Sequence, residues 1–281
     1  MSILSALQPK DIERPVLDLS GEALRKALQA MIGGSEDQGG IERYIDAVKL
    51  KNTMFRQALA EHAIADLELE TFMGLCTFMA TVRRRIGPWL NEDAFAGVRE
   101  GLSELLDDAE PVDVRIDVFC GRFPADKQHR WVRDLATETL HNTDPERFPL
   151  MNRWVWDAGA NTGVLREIWH AEDVDHMTIQ VGDGYGTYLM LREELSQFLT
   201  DNGFFRDILH YVDVLCAQVY AGYICEQGGS YLRTDFSAPE DPMQHTRRLL
   251  GLDGVRPGSG KTRLKSIDGE AFVLDDSRLL Q

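Results

Sequence analysis

Apolar residues recur at helical spacing along most of the chain. Leu24, Leu28 and Ile32 share one face of a stretch that Ser20 can cap and that carries Glu22 in its first turn; Gly33 and Gly34 are expected to stop it. Over 41–86, Phe55, Leu59, His62, Leu69, Met73, Cys76 and Ala80 trace a single face at spacings of three and four, with a break expected near Asn52 and Thr53. Residues 91–106 repeat the pattern through Ala94, Val98, Leu102 and Leu105, and 127–140, 150–156, 163–171 and 192–199 predict further helices. The strongest late helix spans 204–224, with Phe205, Ile208, Val212, Leu215, Val219 and Tyr223 on one face. Asp207, His210, Asp213 and Gln218 make it amphipathic, so it reads as a core helix and not as a membrane span.

One stretch follows a different period. Val-Asp-Val-Arg-Ile-Asp-Val over 112–118 alternates apolar and charged residues, which predicts a half-buried strand. Its candidate partners are 177–181 with 187–191, joined by Gly182-Asp-Gly-Tyr-Gly186 as a hairpin loop, and 264–267 with 271–274, joined around Asp268 and Gly269. The expected fold is mainly α within an α+β class: a multi-helix domain with a small antiparallel β element and an extended C-terminal arm. Residues 1–40 form a lead-in and a short helix, and 41–227 the main helical domain. Residues 228–281 form a Gly/Pro-rich arm or hairpin with a short helix near 244–250.

Charge narrows the functional classes. With 46 acidic against 30 basic residues the net charge is −16, a surface that repels phosphate backbones and anionic lipid head groups. The basic triplet Arg83 to Arg85, followed by Gly87 and Pro88, is explained by the negative end of a helix dipole. Residues 1–14 lack a basic region followed by an apolar run, so no secretory signal is expected. No apolar run approaches the roughly 20 residues that span a bilayer. Cys76, Cys120, Cys216 and Cys225 show no Cys-x-x-Cys spacing, which predicts reduced thiols in a cytoplasmic protein.

The rare residues concentrate between Trp131 and His176. Glu138 with His141 and Glu167 with His170 each form Glu-x-x-His, a spacing that sets a carboxylate and an imidazole on one helix face and, in pairs, resembles di-iron carboxylate bundles. These four residues are the candidate ligands of a divalent metal, iron, zinc or manganese; a hydrogen-bonding or capping role is the plainer alternative. Trp131, Trp154, Trp156 and Trp169 with Arg153 and Arg166 are the residue mix of interface hot spots, and Trp154 and Trp156 point to different sides of a helix. That set is the candidate binding surface for another protein or a second copy. Pro257-Gly-Ser-Gly-Lys261-Thr262 ends like a P-loop, but Val255 stands where the first glycine belongs and a strand is expected to follow, so the match is a coincidence.

The run Leu-His-Asn-Thr-Asp-Pro-Glu-Arg-Phe-Pro-Leu over 140–150 resembles the loop before a core helix in helix-hairpin-helix DNA glycosylases, although Asn152 stands near the position of their catalytic aspartate and no Gly-rich hairpin is present. That resemblance implies a helical DNA-binding protein, which the charge of −16 disfavours. The leading expectation is an accessory or regulatory protein acting through protein contacts. A metal-dependent enzyme using the Glu-x-x-His pairs is the alternative, and the DNA-binding protein a second one.

Overall fold

A computed structural model describes residues 14–36, 39–59, 64–171, 176–231 and 242–253. In chain order the helices are α1 (Gly21–Ser35), α2 (Glu42–Leu59), α3 (Leu69–Thr77), α4 (Glu92–Leu106), α5 (Val112–Gly121), α6 (Trp131–Thr143), α7 (Val164–Glu167), α8 (Tyr185–Asp201), α9 (Ile208–Tyr231) and α10 (Pro242–Leu249), with a 3-10 turn at Gly87–Trp89. Among the described residues there is no β-strand; two isolated bridges join Leu19 to Trp169 and Asp157 to Thr162.

The chain sorts these helices into two groups. Helix α9 is apolar on most sides and must be enclosed to be stable in water; α1, α7, α8 and α10 pack on it. Helix α6 is buried along nearly its whole length, with α4 and α5 against it. Helix α2 packs on both α6 and α9 and so joins the groups. One hydrophobic cluster runs through both, from Leu17 to Leu250. By length and composition Ile208–Glu226 of α9 could cross a membrane, with a mean hydropathy of 1.3, contrary to the expectation that no run is long enough. Half of that stretch is buried inside the protein, and Asp213 and Gln218 are buried within it.

Local rules explain several helix ends. The Ser20 side chain accepts the Ala23 N–H at 3.3 Å to cap α1, and Asn91 accepts the Ala94 N–H at 3.0 Å to cap α4. Gly33 and Gly34 do not stop α1, which runs on to Ser35. A Cβ at Gly34 would lie 2.9 Å from Met243 Cγ, so the glycine serves the close approach of α10. Helix α2 passes unbroken through Asn52 and Thr53. Arg83 to Arg85 lie in turns after α3 instead of ending a helix; buried Arg83 donates to Thr77 O at 3.0 Å and to Asp253 at 2.8 Å.

The predicted strands are corrected to helix or irregular chain, or lie outside the described residues: 177–181 is irregular, and the expected hairpin loop 182–186 runs into α8 at Tyr185. Residues 112–118 belong to α5, where Val112, Arg115, Ile116 and Phe119 turn inward at helical spacing. The alternation misleads because Arg115 is buried, donating to the last carbonyls of α4 and its turn, Leu105 O at 2.8 Å and Asp107 O at 3.1 Å, while Val114 and Val118 remain outside. Residues 187–191 lie inside α8, whose first turn is capped from a distance: the Asp113 carboxylate accepts the Tyr185 N–H at 2.9 Å. Residues 150–156 are turns and not a helix, so Trp154 and Trp156 do not occupy two helix faces. Residues 264–267 and 271–274, the P-loop-like string and His62 lie outside the described residues.

Gly251, just after α10, has φ +75°, and a Cβ there would meet Phe78 O at 1.7 Å, whereas Gly222 in α9 has open space. Gly251→Ala is expected to lower stability by more than about 2 kcal/mol, and Gly222→Ala to raise it by up to about 1 kcal/mol. Urea denaturation of both variants checks this; an undisturbed Gly251→Ala protein would mean that the segment after α10 does not dock against Phe78.

Candidate functional site

Three helices carry charge into the interior where the two groups meet. Lys51 on α2 donates from Nζ to Glu138 Oε2 of α6 at 3.1 Å and to Leu250 O at 3.0 Å, and Asn152 Nδ2 donates to the other Glu138 oxygen at 3.0 Å. Beside it Asn52 Nδ2 donates to Asn142 Oδ1 at 3.0 Å, Asn142 Nδ2 donates to Glu138 O at 2.7 Å, and His210 Nε2 donates to Asn52 Oδ1 at 3.1 Å. Asp134 of α6 holds Arg153 through Nη2 at 2.9 Å and its backbone N–H at 3.2 Å. Lys51, Asn52, Asp134, Glu138, His141, Asn142, Asn152 and Asp213 are all buried.

His141 closes the seam between α6 and α9. Its Nδ1 lies 2.9 Å from Phe148 O, which only accepts, and its Nε2 lies 3.1 Å from Asp213 Oδ2. With Asp213 ionised both ring nitrogens face acceptors, an arrangement that favours the imidazolium. Burial works against that charge, but the Asp213 carboxylate and the Phe148 carbonyl outweigh it and hold His141 above its ordinary value of 6.5. Burial lowers neighbouring His210 instead, against the opposing pull of Asp213. A void of about 10 Å³ beside His141, Asp213, Tyr188 and Arg192 has room for about one water. The thiols nearest the seam, Cys76 and Cys216, are pushed up by burial and so stay protonated.

The two Glu-x-x-His pairs thus have different surroundings. Glu138 is engaged by Lys51 and Asn152, and His141 has no lone pair left while both nitrogens donate. Glu167 ends α7 half-buried, and the His170 ring is exposed while its backbone N–H donates to Asp18 O at 2.8 Å. Among the described residues no three His, Cys, Asp or Glu side chains are grouped as a metal would need them.

The tryptophans do not form one face. Trp131, Trp154 and Trp156 are buried and Trp169 is half-buried. Trp156 Nε1 donates to Val181 O at 3.0 Å, Trp154 packs on Tyr220 at 6.0 Å, and Trp131 packs on Phe123 at 5.8 Å. Arg166 reaches Asn161 O and Met177 O, each at 3.4 Å.

The exposed features that sequence reasoning missed lie around α5. Its outer face presents Asp113, Val114, Asp117 and Val118, with Val114 44% and Val118 52% exposed. Beyond its C-terminus a cleft of about 580 Å³ opens between residues 120–127 and the start of α6. Helical re-reading of 112–118 would have put two valines outside. Lys51 and Asn52 on the apolar stripe of α2, and Asp213 inside α9, were the available signals of the buried seam.

The chain matches no family model, no curated protein and no solved structure.

Removing one member of a buried ion pair strands the other, so Lys51→Met is expected to cost about 3–5 kcal/mol, and adding Glu138→Leu to recover most of it. Equal stability of the single and double variants would contradict the pairing. The raised His141 value means that its stabilising contribution is fully present below about pH 6.5 and fades as pH rises through the higher folded-state value. Thermal unfolding at several pH values should show this fall, and His141→Gln should flatten it.

Proposed function

We propose that the protein is an accessory or regulatory protein that acts by contact, receiving a basic segment of a partner protein on the outer face of α5. The observation that carries this reading is the exposed pair Val114 and Val118, one helical turn apart and flanked by exposed Asp113 and Asp117. Two apolar side chains framed by carboxylates suit a partner helix or strand that offers apolar anchors between lysines and arginines. The turn 107–110, with exposed Asp107 and Glu110, extends the acidic margin at the α5 N-terminus, while Asp108 is paired with Arg147 and Arg115.

Charge supports the same reading at longer range. A net charge of −16 attracts a cationic partner and repels nucleic acid. Cys76, Cys120, Cys216 and Cys225 are thiols outside any disulfide, which fits a reducing compartment such as the cytoplasm. The charged groups of the interior are matched to one another, Lys51 to Glu138, His141 to Asp213 and Arg153 to Asp134, so they serve the scaffold that presents α5.

The test is photo-crosslinking from position 118, with the equally apolar and more exposed position 16 as control. The expected result is a discrete adduct to a basic protein from position 118 alone, lost on Val114→Asp and weakened by added salt. Adducts shared by both positions, an adduct only with a second copy of this chain, or no adduct would contradict the proposal.

A further inference from the structure

We infer that the cleft between the end of α5 and the start of α6 binds a small organic anion, an oxyanion carried on an aromatic body. Its volume of about 580 Å³ falls within the range of small-molecule sites. Cys120, Phe123, Pro124 and Val132 give it an apolar wall, and Lys127, Arg130, Arg133 and Asp126 line the rest. Two of the three cations are matched by carboxylates outside the lining, Arg130 by Asp157 and Arg133 by Asp183, which leaves Lys127 as the cation at the cleft with no carboxylate partner among the described residues.

The charges are not equally available. Arg130 is bound to Asp157 at 2.8 Å, and Arg133 donates to Asp183 O at 2.7 Å with the Asp183 carboxylate 3.9 Å away. Asp126 is turned to its own loop, accepting from the Gln128 N–H at 2.7 Å, the His129 N–H at 3.1 Å and the His129 ring at 2.9 Å, and these bonds, led by the His129 ring, hold it below its ordinary value. Lys127 is exposed and has no carboxylate partner among the described residues. The Arg133 Nε–H is buried without an acceptor. The cleft also lies at the positive end of α6, where the first backbone N–H groups favour an anion. An oxyanion in the cleft would give Lys127 the anionic partner it lacks among the described residues.

The aromatic preference follows from what backs the cleft. Trp89 stands 4.7 Å from Phe123 and 6.2 Å from the His129 ring, and Trp131 stands 5.8 Å and 6.4 Å from the same two rings. Phe123 and His129 both line the cleft, so a ligand ring entering beside them would extend an existing aromatic cluster. This site is separate from the partner face of α5 and does not depend on it.

Phenyl phosphate is the probe, titrated into the full chain while tryptophan fluorescence and the amide NMR shifts of residues 120–133 are followed. Saturable binding is expected, weakened about tenfold or more by Lys127→Glu, an exposed change that leaves the fold intact. Benzyl alcohol and inorganic phosphate are each expected to bind about tenfold more weakly than the probe. No saturation at millimolar probe, indifference to Lys127→Glu, or equal binding of either fragment would overturn the inference.

Discussion

A charged side chain taken out of water must carry its partner with it, and the interior of this protein is arranged around that requirement. Helix α6 is enclosed by α2, α4 and α5, yet it bears Asp134, Glu138, His141 and Asn142. Each is answered from another part of the chain: Arg153 for Asp134, Lys51 and Asn152 for Glu138, Asp213 for His141, Asn52 for Asn142. These bonds are directional where the hydrophobic contacts around them are not, so they fix how the α6 group and the α9 group meet through α2. Lys51 extends the arrangement to Leu250, tying the segment after α10 to the same point.

The arrangement that makes the seam a good joint leaves little for chemistry. An imidazolium that donates from both nitrogens has no lone pair with which to take a proton, and Glu138 already accepts from an ammonium and an amide. Accessible surface lies instead at the α5 end of the α6 group: an acidic, valine-bearing outer face, and beyond it a cleft that carries Lys127. Both depend on the seam, because Arg130 and Arg133 of the cleft stand at the N-cap and in the first turn of α6 and α5 packs directly on α6.

The helices that announced themselves in the sequence are those whose caps and apolar faces are local. Ser20 and Asn91 cap the helices they precede, and Val98, Leu102 and Leu105 turn inward as their spacing predicts. Helix α5 was hidden because a buried arginine and two exposed valines invert the usual pattern. The N-terminal half of α8 was hidden, although 192–199 was legible as helix, because its first turn is capped by Asp113, 72 residues away. The same limit applies to the site: Glu138 and His141 stand out as polar residues three apart, but what they do is decided by Lys51 at a separation of 87 residues and Asp213 at 72. Spacing reports which side chains share a helix face, and only the fold says what stands opposite them. The tryptophans were legible as anchors, and burial of Trp131, Trp154 and Trp156 makes them anchors of the core.

The central claim is that the charged interior is a joint held by matched ions, with the protonated form of His141 favoured by Asp213 and Phe148. Nitrogen-15 NMR of the His141 ring tests this most directly, because the two ring shifts report which nitrogens carry protons. The account predicts both nitrogens protonated at pH 7 in the folded protein, with the change to a neutral ring displaced above the ordinary value of 6.5 and the displacement removed by Asp213→Asn. A neutral ring at pH 7, with one nitrogen bare, would contradict it and return His141 to the set of groups able to take a proton or a metal.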